Sequence, residues 1–337
     1  MIEAYAALEL VVLFAASALV SAGLLRLLHP LLVRYALARP TTRSSHHKPT
    51  PQGGGIAVIA AVIVPVAITV LLLHPFADRV QIALVFVSAV LLGVLGAIDD
   101  IKPMSVAPRL LLQAIAVAVM LAALPAALRI APFMPWWLER ALLFVAVLWF
   151  VNLVNFMDGI DWMTAAETVP VTGALTLFAL LGALPGDAAL VALALCGAMV
   201  GFAPFNRPVA RVFLGDVGSL PIGLLLAWLL ILLAGRGHIA AALLLPLYYL
   251  ADATVTLLCR VATGKPVLKP HRGHFYQHAV DRKLGVMEVV SRVVLLNIGL
   301  AALAFVTLLT PSYLVHAAVL LVGCALVAGL LYRFAKA

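Results

Sequence analysis

Two adjacent carboxylates, Asp99 and Asp100, stand at the end of a long apolar run, LLGVLGAIDD. If that run is a helix, its macrodipole disfavours negative charge at this end, and the nearest basic residue along the chain is Lys102. Adjacent carboxylates, joined by others from elsewhere in a chain, are a common way to hold Mg²⁺ together with substrate phosphates. The pair therefore predicts a cation-dependent site, against the simpler alternative of a solvated helix end.

A second polar group recurs at every third residue of VNLVNFMDGIDW, namely Asn152, Asn155, Asp158 and Asp161. A spacing of three drifts by about 60° per step around a helix, so an unbroken helix would spread the four side chains. Gly159 is expected to end the helix, which keeps the two asparagines on one face and puts the aspartates in a loop. A helix stop explains any one of these residues, but it explains four together poorly.

Asp216 follows FLG and precedes Gly218 and Ser219, where another apolar stretch begins. Asp and Ser are frequent helix caps, which is the structural alternative here. The flanking glycines would also let a phosphate or a metal ion approach the backbone, so we predict that Asp216 is a metal ligand. Asp252 is the one acidic residue well inside an apolar span, which makes it a further candidate, and Arg260, two turns on, is a candidate structural partner.

Two basic segments complete the set. Lys48 lies just before PTPQGGG, a glycine-rich turn of the kind that can cradle phosphate, although a flexible polar loop would look the same. His271, Arg272 and His274 lie in HRGHFYQ. Because the neighbouring Lys and Arg repel a metal ion, these three residues predict a phosphate or diphosphate site, with a lipid-headgroup surface as the alternative.

The elements that carry these residues are membrane helices. The chain has 337 residues, is 65% hydrophobic and 11% charged, and has a mean hydropathy of +1.16. Its apolar runs are long enough to cross a hydrocarbon core of roughly 30 Å as helices. We predict an all-α polytopic integral membrane protein with about eleven spans, near 5–28, 56–74, 80–98, 107–128, 138–154, 168–184, 187–204, 213–234, 238–258, 292–310 and 313–333.

The basic residues predict how these spans are oriented. With the N-terminus outside and the C-terminus in the cytoplasm, 18 of the 22 Lys and Arg residues fall on the cytoplasmic side. The net charge of +8 is therefore a topology signal and gives no indication of nucleic-acid binding. The expected organisation is one membrane-embedded domain over 1–337 with functional cytoplasmic loops at 29–55, 99–109, 155–167, 205–218 and 260–291.

Five motifs in this order, PTPQGGG, DD, NxxNFMDGID, FLGDVGS and HRGHFYQ, resemble those of the polyprenyl-phosphate N-acetylhexosamine-1-phosphate transferases, glycosyltransferase family 4. That family includes enzymes that begin O-antigen, enterobacterial common antigen and teichoic acid assembly, and the phospho-N-acetylmuramoyl-pentapeptide transferase of peptidoglycan synthesis. The similarity covers nearly the whole chain. It implies a multi-pass enzyme of the bacterial inner membrane whose active site faces the cytoplasm.

The resemblance also implies a reaction, in which undecaprenyl phosphate attacks a UDP-N-acetylhexosamine (UDP-HexNAc) and releases UMP in a cell-wall or lipopolysaccharide pathway. It implies Mg²⁺, with Mn²⁺ as the alternative metal, bound by Asp216, Asp99 and Asp100, which are also the catalytic residues. Substrate contacts are implied for Lys48, Asn152, Asn155, Asp158, Asp161, His271, Arg272 and His274. Membrane lipid is an expected partner, nucleic acid is not, and a homodimer stays open.

Two departures from the family pattern bear on the substrate. Relatives usually read DGxDG where Trp162 stands in this chain, so we expect a stiffer or differently packed loop, and we expect Trp162→Gly to be tolerated. HRGHFYQ also lacks a triple-His run, which favours GlcNAc or a modified HexNAc over a MurNAc-pentapeptide donor. A multi-span transporter is the weaker alternative, since the Asn and Asp motifs cluster in loops and no inverted repeat is visible.

Two other classes of membrane enzyme fit the carboxylates less well. An intramembrane aspartyl protease needs a GxGD segment, and Phe213 stands in place of its first glycine. A membrane aromatic prenyltransferase carries NDxxDxxxD, whereas Asn155 to Asp161 reads NxxDxxD. The protease motif is therefore incomplete in this chain, and the carboxylate spacing is wrong for the prenyltransferase.

Overall fold

The computed structural model describes residues 2–38, 49–74, 78–266, 271–282 and 284–337. Within these ranges the chain forms thirteen helices and one short antiparallel ladder. The helices are α1 Ile2–Tyr35, α2 Gly55–Leu73, α3 Arg79–Ile101, α4 Val106–Ala122, α5 Trp136–Met157, α6 Met163–Leu180, α7 Gly186–Phe202, α8 Asp216–Gly235, α9 Ile239–Leu244, α10 Leu247–Ala262, α11 Phe275–Asp281, α12 Val286–Leu309 and α13 Tyr313–Lys336. The strands are β1 Leu37–Ala38 and β2 Thr50–Pro51.

Eight of the helices in the described ranges are long and apolar enough to cross a membrane: α1, α2, α3, α5, α6, α8, α12 and α13. Two more apolar helices, α4 and α7, are shorter, at 17 residues each. The predicted all-helical polytopic membrane architecture is thus confirmed. The predicted number of about eleven long spans is not reached, and the orientation of the chain in the membrane stays a prediction.

The span expected over 238–258 is two helices and not one. Helix α9 ends at Leu244, and α10 begins at Leu247 after Pro246. Proline has no backbone N–H to continue the hydrogen-bond ladder, and its ring obstructs the preceding turn. Hydropathy averaged over a window does not register such a break, so this element was predicted as one continuous helix.

Helix α8 is the buried centre of the fold, with every residue from Val217 to Ala234 buried. Helices α2 and α3 approach the first turn of α8 closely, each at a glycine. A Cβ on Gly96 of α3 would lie 2.3 Å from the carbonyl carbon of Asp216, and one on Gly55 of α2 would lie 2.2 Å from Gly218 Cα. Three helices therefore meet at the start of α8, where the polar motifs also lie.

The PTPQGGG segment is part of this junction. Phe213 donates its backbone N–H to the Pro51 carbonyl, and the N–H groups of Gly54 and Gly55 donate to the carbonyls of Phe213 and Leu214, at 2.8 to 2.9 Å. Those two glycine donors are therefore used within the protein and do not form the phosphate cradle considered above. Lys48 lies outside the described residues.

Candidate active site

Asp100 caps a helix to which it does not belong. Its Oδ1 accepts the N–H of Asp216 at 3.0 Å, and its Oδ2 accepts the N–H of Val217 at 3.2 Å. Gly215 precedes this turn with φ +77°, and a Cβ there would lie 2.4 Å from Asp100 Oδ2. Asp216 is accordingly the first helical residue of α8, and the capping side chain comes from α3.

Asp99 points to a different set of donors. Its Oδ1 accepts the N–H of Met104 at 2.5 Å, and its Oδ2 accepts Arg109 Nη1 at 3.1 Å. The Nε atom of Arg109 is buried and has no hydrogen-bond partner among the described residues. Arg109 is one of the 18 Lys and Arg residues that predict a cytoplasmic side, and the sequence motifs gave it no other role. The signal for such a role is that Arg109 lies in the first turn of the helix that follows the Asp99-Asp100 pair across a short loop.

The asparagines connect α5 to its neighbours. Asn155 Nδ2 donates to Asp216 Oδ1 at 2.7 Å and to Ser219 Oγ at 2.9 Å, whereas Asn152 Nδ2 donates to Gln113 Oε1 of α4 at 2.8 Å. Both residues lie near the end of α5, which stops at Met157, before Gly159. Asn155 orients the carboxylate of Asp216, leaving Asp216 Oδ2 without a hydrogen bond from any described residue.

The two aspartates of the DGID loop have separate partners. Asp158 Oδ1 accepts the hydroxyl of Thr164 at 2.5 Å, and Asp161 Oδ2 accepts the N–H of Ala210 at 2.9 Å. The pKa of Asp158 is raised to about 8, chiefly by burial; the Thr164 hydrogen bond opposes this shift, and the charges of Asp216, Asp100 and Asp161 add to it. The negative charge of these neighbouring carboxylates would stabilise a bound cation here.

Asp252 holds the HRGH segment against the helices. Its carboxylate is fully buried and accepts the N–H groups of Phe275 and Tyr276, at 3.0 and 3.3 Å, and the Tyr248 hydroxyl at 3.1 Å. His274 Nδ1 lies 3.4 Å from Asp252 Oδ1. The expectation that Arg260 pairs with Asp252 was wrong. The carboxylate is already occupied by the start of α11, and Arg260 donates to the Pro266 carbonyl.

The three predicted anion-binding residues of this segment diverge. His271 and His274 stack, with ring centroids 5.2 Å apart, whereas Arg272 turns away and pairs with Asp281. Burial, followed by the nearby His274 and Arg260, lowers the pKa of His271 to about 4. The N–H of Gly273 donates to His271 Nδ1, which requires that nitrogen to be unprotonated.

Two cavities meet at Asn155 and Asp216, which line both of them. The first, of about 490 Å³, is bordered by Asp100, Asp158, Asp161, Asn206 and Gln52 among others. The second, of about 520 Å³, is lined by seven apolar and six polar side chains. Its apolar residues are Val106, Leu110, Val145, Leu148, Trp149, Phe156 and Leu257, and its polar residues include Arg109, Asn152, His271 and His274.

The predicted metal ligands are close together but do not form a ready-made cluster. No group of three His, Cys, Asp or Glu side chains in the described part of the chain converges as a metal site. Both oxygens of Asp100 accept backbone N–H groups, and those of Asp99 accept Met104 and Arg109. The assignment of Asp99, Asp100 and Asp216 as metal ligands stays a prediction.

Comparison with known proteins agrees with the resemblance seen in the motifs. Residues 82–234 match the model of Glycosyl transferase family 4. A probable undecaprenyl-phosphate N-acetylglucosaminyl 1-phosphate transferase of Bacillus subtilis is 24% identical over 276 residues, which cover 78% of this chain and 74% of that protein. A phospho-N-acetylmuramoyl-pentapeptide-transferase of Lactiplantibacillus plantarum is 30% identical over 282 residues, covering 74% of this chain and 85% of that protein.

A second phospho-N-acetylmuramoyl-pentapeptide-transferase, from Clostridium botulinum, is 29% identical over 286 residues, covering 75% of this chain and 82% of that protein. The matches to both kinds of relative extend over about three quarters of the chain. The predicted family is thus confirmed: the chain is a membrane protein that belongs to glycosyl transferase family 4.

Proposed function

We propose that this protein transfers a HexNAc-1-phosphate from UDP-HexNAc to undecaprenyl phosphate, forming undecaprenyl-diphospho-HexNAc and UMP. The observation that carries the proposal is the pair of unlike cavities with a common wall at Asn155 and Asp216. Both cavities have mainly apolar walls, and they differ in charge. The first, called the polar cavity, has four carboxylates, and the second, called the apolar cavity, has Arg109, two histidines and one carboxylate. A water-soluble donor and a lipid acceptor could therefore meet at that wall.

The apolar cavity suits a polyprenyl phosphate. Its side chains on α4, α5 and α10 offer an isoprenoid chain the contacts it would otherwise make with lipid. Arg109 lines it with a buried Nε that has no hydrogen-bond partner among the described residues, and a guanidinium binds phosphate oxygens through directed hydrogen bonds. In this proposal Arg109 holds the lipid phosphate, while His271 and His274 line the same cavity.

The polar cavity suits a nucleotide diphosphate together with Mg²⁺. Asp100, Asp158, Asp161 and Asp216 line it, and a diphosphate would be repelled by their charge without a cation. Carboxylate oxygens are the ligands Mg²⁺ prefers, so the residues fit the metal. Asp216 and Asp158 would hold the metal, because each accepts a hydrogen bond through only one of its two carboxylate oxygens. The other predicted ligands, Asp99 and Asp100, lie nearby. When bound, Mg²⁺ would supply charge neutralisation.

The transfer needs little proton movement from the protein. An oxygen of the lipid phosphate forms a bond to the β-phosphorus of the donor, and the bond from that phosphorus to the bridging oxygen breaks, with its electron pair leaving on UMP. The second pKa of a phosphate monoester is about 6. Undecaprenyl phosphate, the nucleophile, and UMP, the leaving group, are therefore both stable as anions at neutral pH. The protein's task is to align the two anions, with Asn155 orienting Asp216 and Arg109 holding the acceptor.

The donor is proposed to be UDP-GlcNAc or a modified UDP-HexNAc, and UDP-MurNAc-pentapeptide is the alternative. Relatives of both kinds match the chain, so identity alone does not separate them. The HRGHFYQ segment, with Arg272 paired to Asp281 and without a triple-His run, supports the smaller donor. We further propose that the site faces the cytoplasm, in a single domain with the loops named above.

The test is UMP release by the purified protein given Mg²⁺, undecaprenyl phosphate and individual UDP-sugars. UMP that forms only with both substrates, and not after chelation of Mg²⁺, would support the transferase and name its donor. Initial-rate patterns would separate direct attack from a covalent aspartyl intermediate, which predicts ping-pong kinetics. Substrate uptake by proteoliposomes without UMP release would instead favour the transporter.

A further inference from the structure

Trp162 occupies a backbone conformation that suits glycine. Its φ is +65°, and within the described ranges it is the one non-glycine residue with positive φ. This left-handed conformation costs free energy for a residue that carries a Cβ. Trp162 therefore has a strained backbone conformation, and such strain points to a role for the side chain.

The side chain and backbone of Trp162 hold the segment that follows α7. The indole Nε1 donates to the Ala203 carbonyl at 2.5 Å, and the backbone N–H donates to Asn206 Oδ1 at 2.7 Å. Asn206 in turn donates to the Val212 carbonyl at 3.0 Å, and the adjacent Asp161 accepts the Ala210 N–H. Residues 203–212 are thus attached at several points to the start of α6.

This segment is one wall of the polar cavity. Asn206, Pro208 and Val209 line the cavity on one side, and Asp158 and Asp216 line it as well. Trp162 itself is not among the lining residues. Its influence on a ligand would be exerted through the position of 203–212.

We propose that Trp162 is a positioning residue that fixes the 203–212 wall of the donor cavity and thereby sets which UDP-HexNAc is accepted. This inference rests on the proposed function, because it takes the polar cavity to be the donor site. A glycine at this position would relieve the strain but would leave Ala203 without the indole hydrogen bond. The tolerance of Trp162→Gly expected from sequence would then hold for folding but not for donor recognition.

Two variants separate the contributions. Trp162→Gly removes the strain and the whole side chain, whereas Trp162→Phe keeps a ring and the same backbone demand but removes the indole donor. We expect both to raise the KM for the UDP-sugar about three- to tenfold, as for one lost hydrogen bond, with the KM for undecaprenyl phosphate unchanged. The kcat/KM ratio between the best and second-best donors should fall in both.

Hydrogen–deuterium exchange gives a readout that does not depend on turnover. Amides of 203–212 should exchange faster in both variants than in the wild-type protein, while amides within α8 should not change. Unchanged exchange in this segment would overturn the inference, as would unchanged donor KM and selectivity. Wild-type values in Trp162→Phe alone would overturn the role of the indole hydrogen bond.

The same experiments distinguish the two proposals. If the wild-type protein releases no UMP with any donor but the variants loosen 203–212, the proposed function fails while the attachment of the wall stands, and the selectivity inference falls with the function. If UMP is released and only the global unfolding temperature changes in the variants, Trp162 is merely structural and the inference fails.

Discussion

Asp216 lines both cavities. Its Oδ1 is held by Asn155, and Oδ2 accepts no hydrogen bond from the described residues. We expect Asp216→Asn to fold normally, because the amide oxygen can still accept from Asn155, and to lower turnover by at least about 100-fold through loss of a negative ligand near the reacting phosphates. Initial rates of UMP release on monodisperse protein measure this.

Asp187→Asn is the matched control for that variant, since Asp187 lies in the first turn of α7, at the opposite end of the helices from the polar motifs. It should retain the wild-type rate. Normal turnover in Asp216→Asn would remove Asp216 from the site, whatever the control does.

His271 predicts a specific dependence of stability on pH. Its pKa in the folded protein is about 4, against about 6.5 in an unfolded chain. As the pH falls below 6.5, the unfolded chain takes up a proton here that the folded protein does not. The stability that this residue contributes is therefore present above pH 6.5 and is lost as the pH falls toward 4.

We expect the unfolding temperature to drop less between pH 7 and pH 5 in His271→Asn than in the wild-type protein, because asparagine has no proton to bind. Thermal unfolding in detergent at the two pH values measures the difference. Equal drops in both proteins would contradict the depressed pKa of His271.

At the scale of single elements, the approach of α3 to α8 depends on Gly96. A Cβ there would lie within 2.3 to 2.4 Å of backbone atoms of Asp216 and Val217, which cannot move aside like a side chain. We expect Gly96→Ala to cost about 1–3 kcal/mol of unfolding free energy and to abolish turnover, since it displaces the residue that Asp100 caps. Thermal unfolding and UMP release report the two effects.

Gly93→Ala is the control for Gly96→Ala, one turn earlier on the same helix. Its Cβ would meet its nearest neighbour, the Val217 carbonyl oxygen, at 3.6 Å, an ordinary contact. It should be close to neutral. If Gly93→Ala and Gly96→Ala lose equal stability and turnover, the contact between Gly96 and Asp216 is not the cause.

Helices α6 and α12 are joined by a buried polar pair. Asn297 Nδ2 donates to Glu167 Oε2 at 2.7 Å, and both side chains are buried. We expect Asn297→Leu to lower stability by about 1–3 kcal/mol, because it leaves Glu167 buried without its donor. Adding Glu167→Leu should recover part of that loss, since no polar group is then stranded. Thermal unfolding of the single and double variants tests this, and simple additivity would contradict it.

The sequence predicted the elements better than their ends and partners. Apolar length located the helices, and the structure places Asn155, Asp158, Asp161 and Asp216, which come from two of the motifs, around one cavity. The sequence did not predict that Asp100 caps α8. That hydrogen bond joins residues 116 positions apart, and no local pattern encodes such a pairing.

Other departures have local physical causes. Pro246 divides an apolar stretch that hydropathy reads as continuous. The Trp162 conformation and the partners of Asp252 are likewise set by packing against distant segments. The side chains of the motifs were therefore identified from sequence, whereas their division between capping, orienting and lining roles required the fold.

At the scale of the whole molecule, the distribution of Lys and Arg predicts the orientation in the membrane. If α9 and α10 together cross once, and α4 and α7 each cross, the chain spans the bilayer an odd number of times and its ends lie on opposite sides. We expect a C-terminal green fluorescent protein fusion to fluoresce and a C-terminal alkaline phosphatase fusion to be inactive, as for a cytoplasmic end.

The control fusion joins alkaline phosphatase after Thr310, in the turn between α12 and α13. That turn should lie outside, so this fusion should be active. Phosphatase activity at the C-terminus instead would reverse the orientation and move the proposed site to the other face of the membrane.

The shared wall at Asn155 and Asp216 has a consequence for inhibition. Two ligands that occupy the polar and apolar cavities would approach each other at these two residues. A nucleoside could be joined to a short isoprenoid through a compact linker. Once one half is bound, the other half would meet its cavity at an effective concentration in the millimolar range. Such a bisubstrate compound would bind far more tightly than either half, and a linker too short to cross the wall would lose that gain.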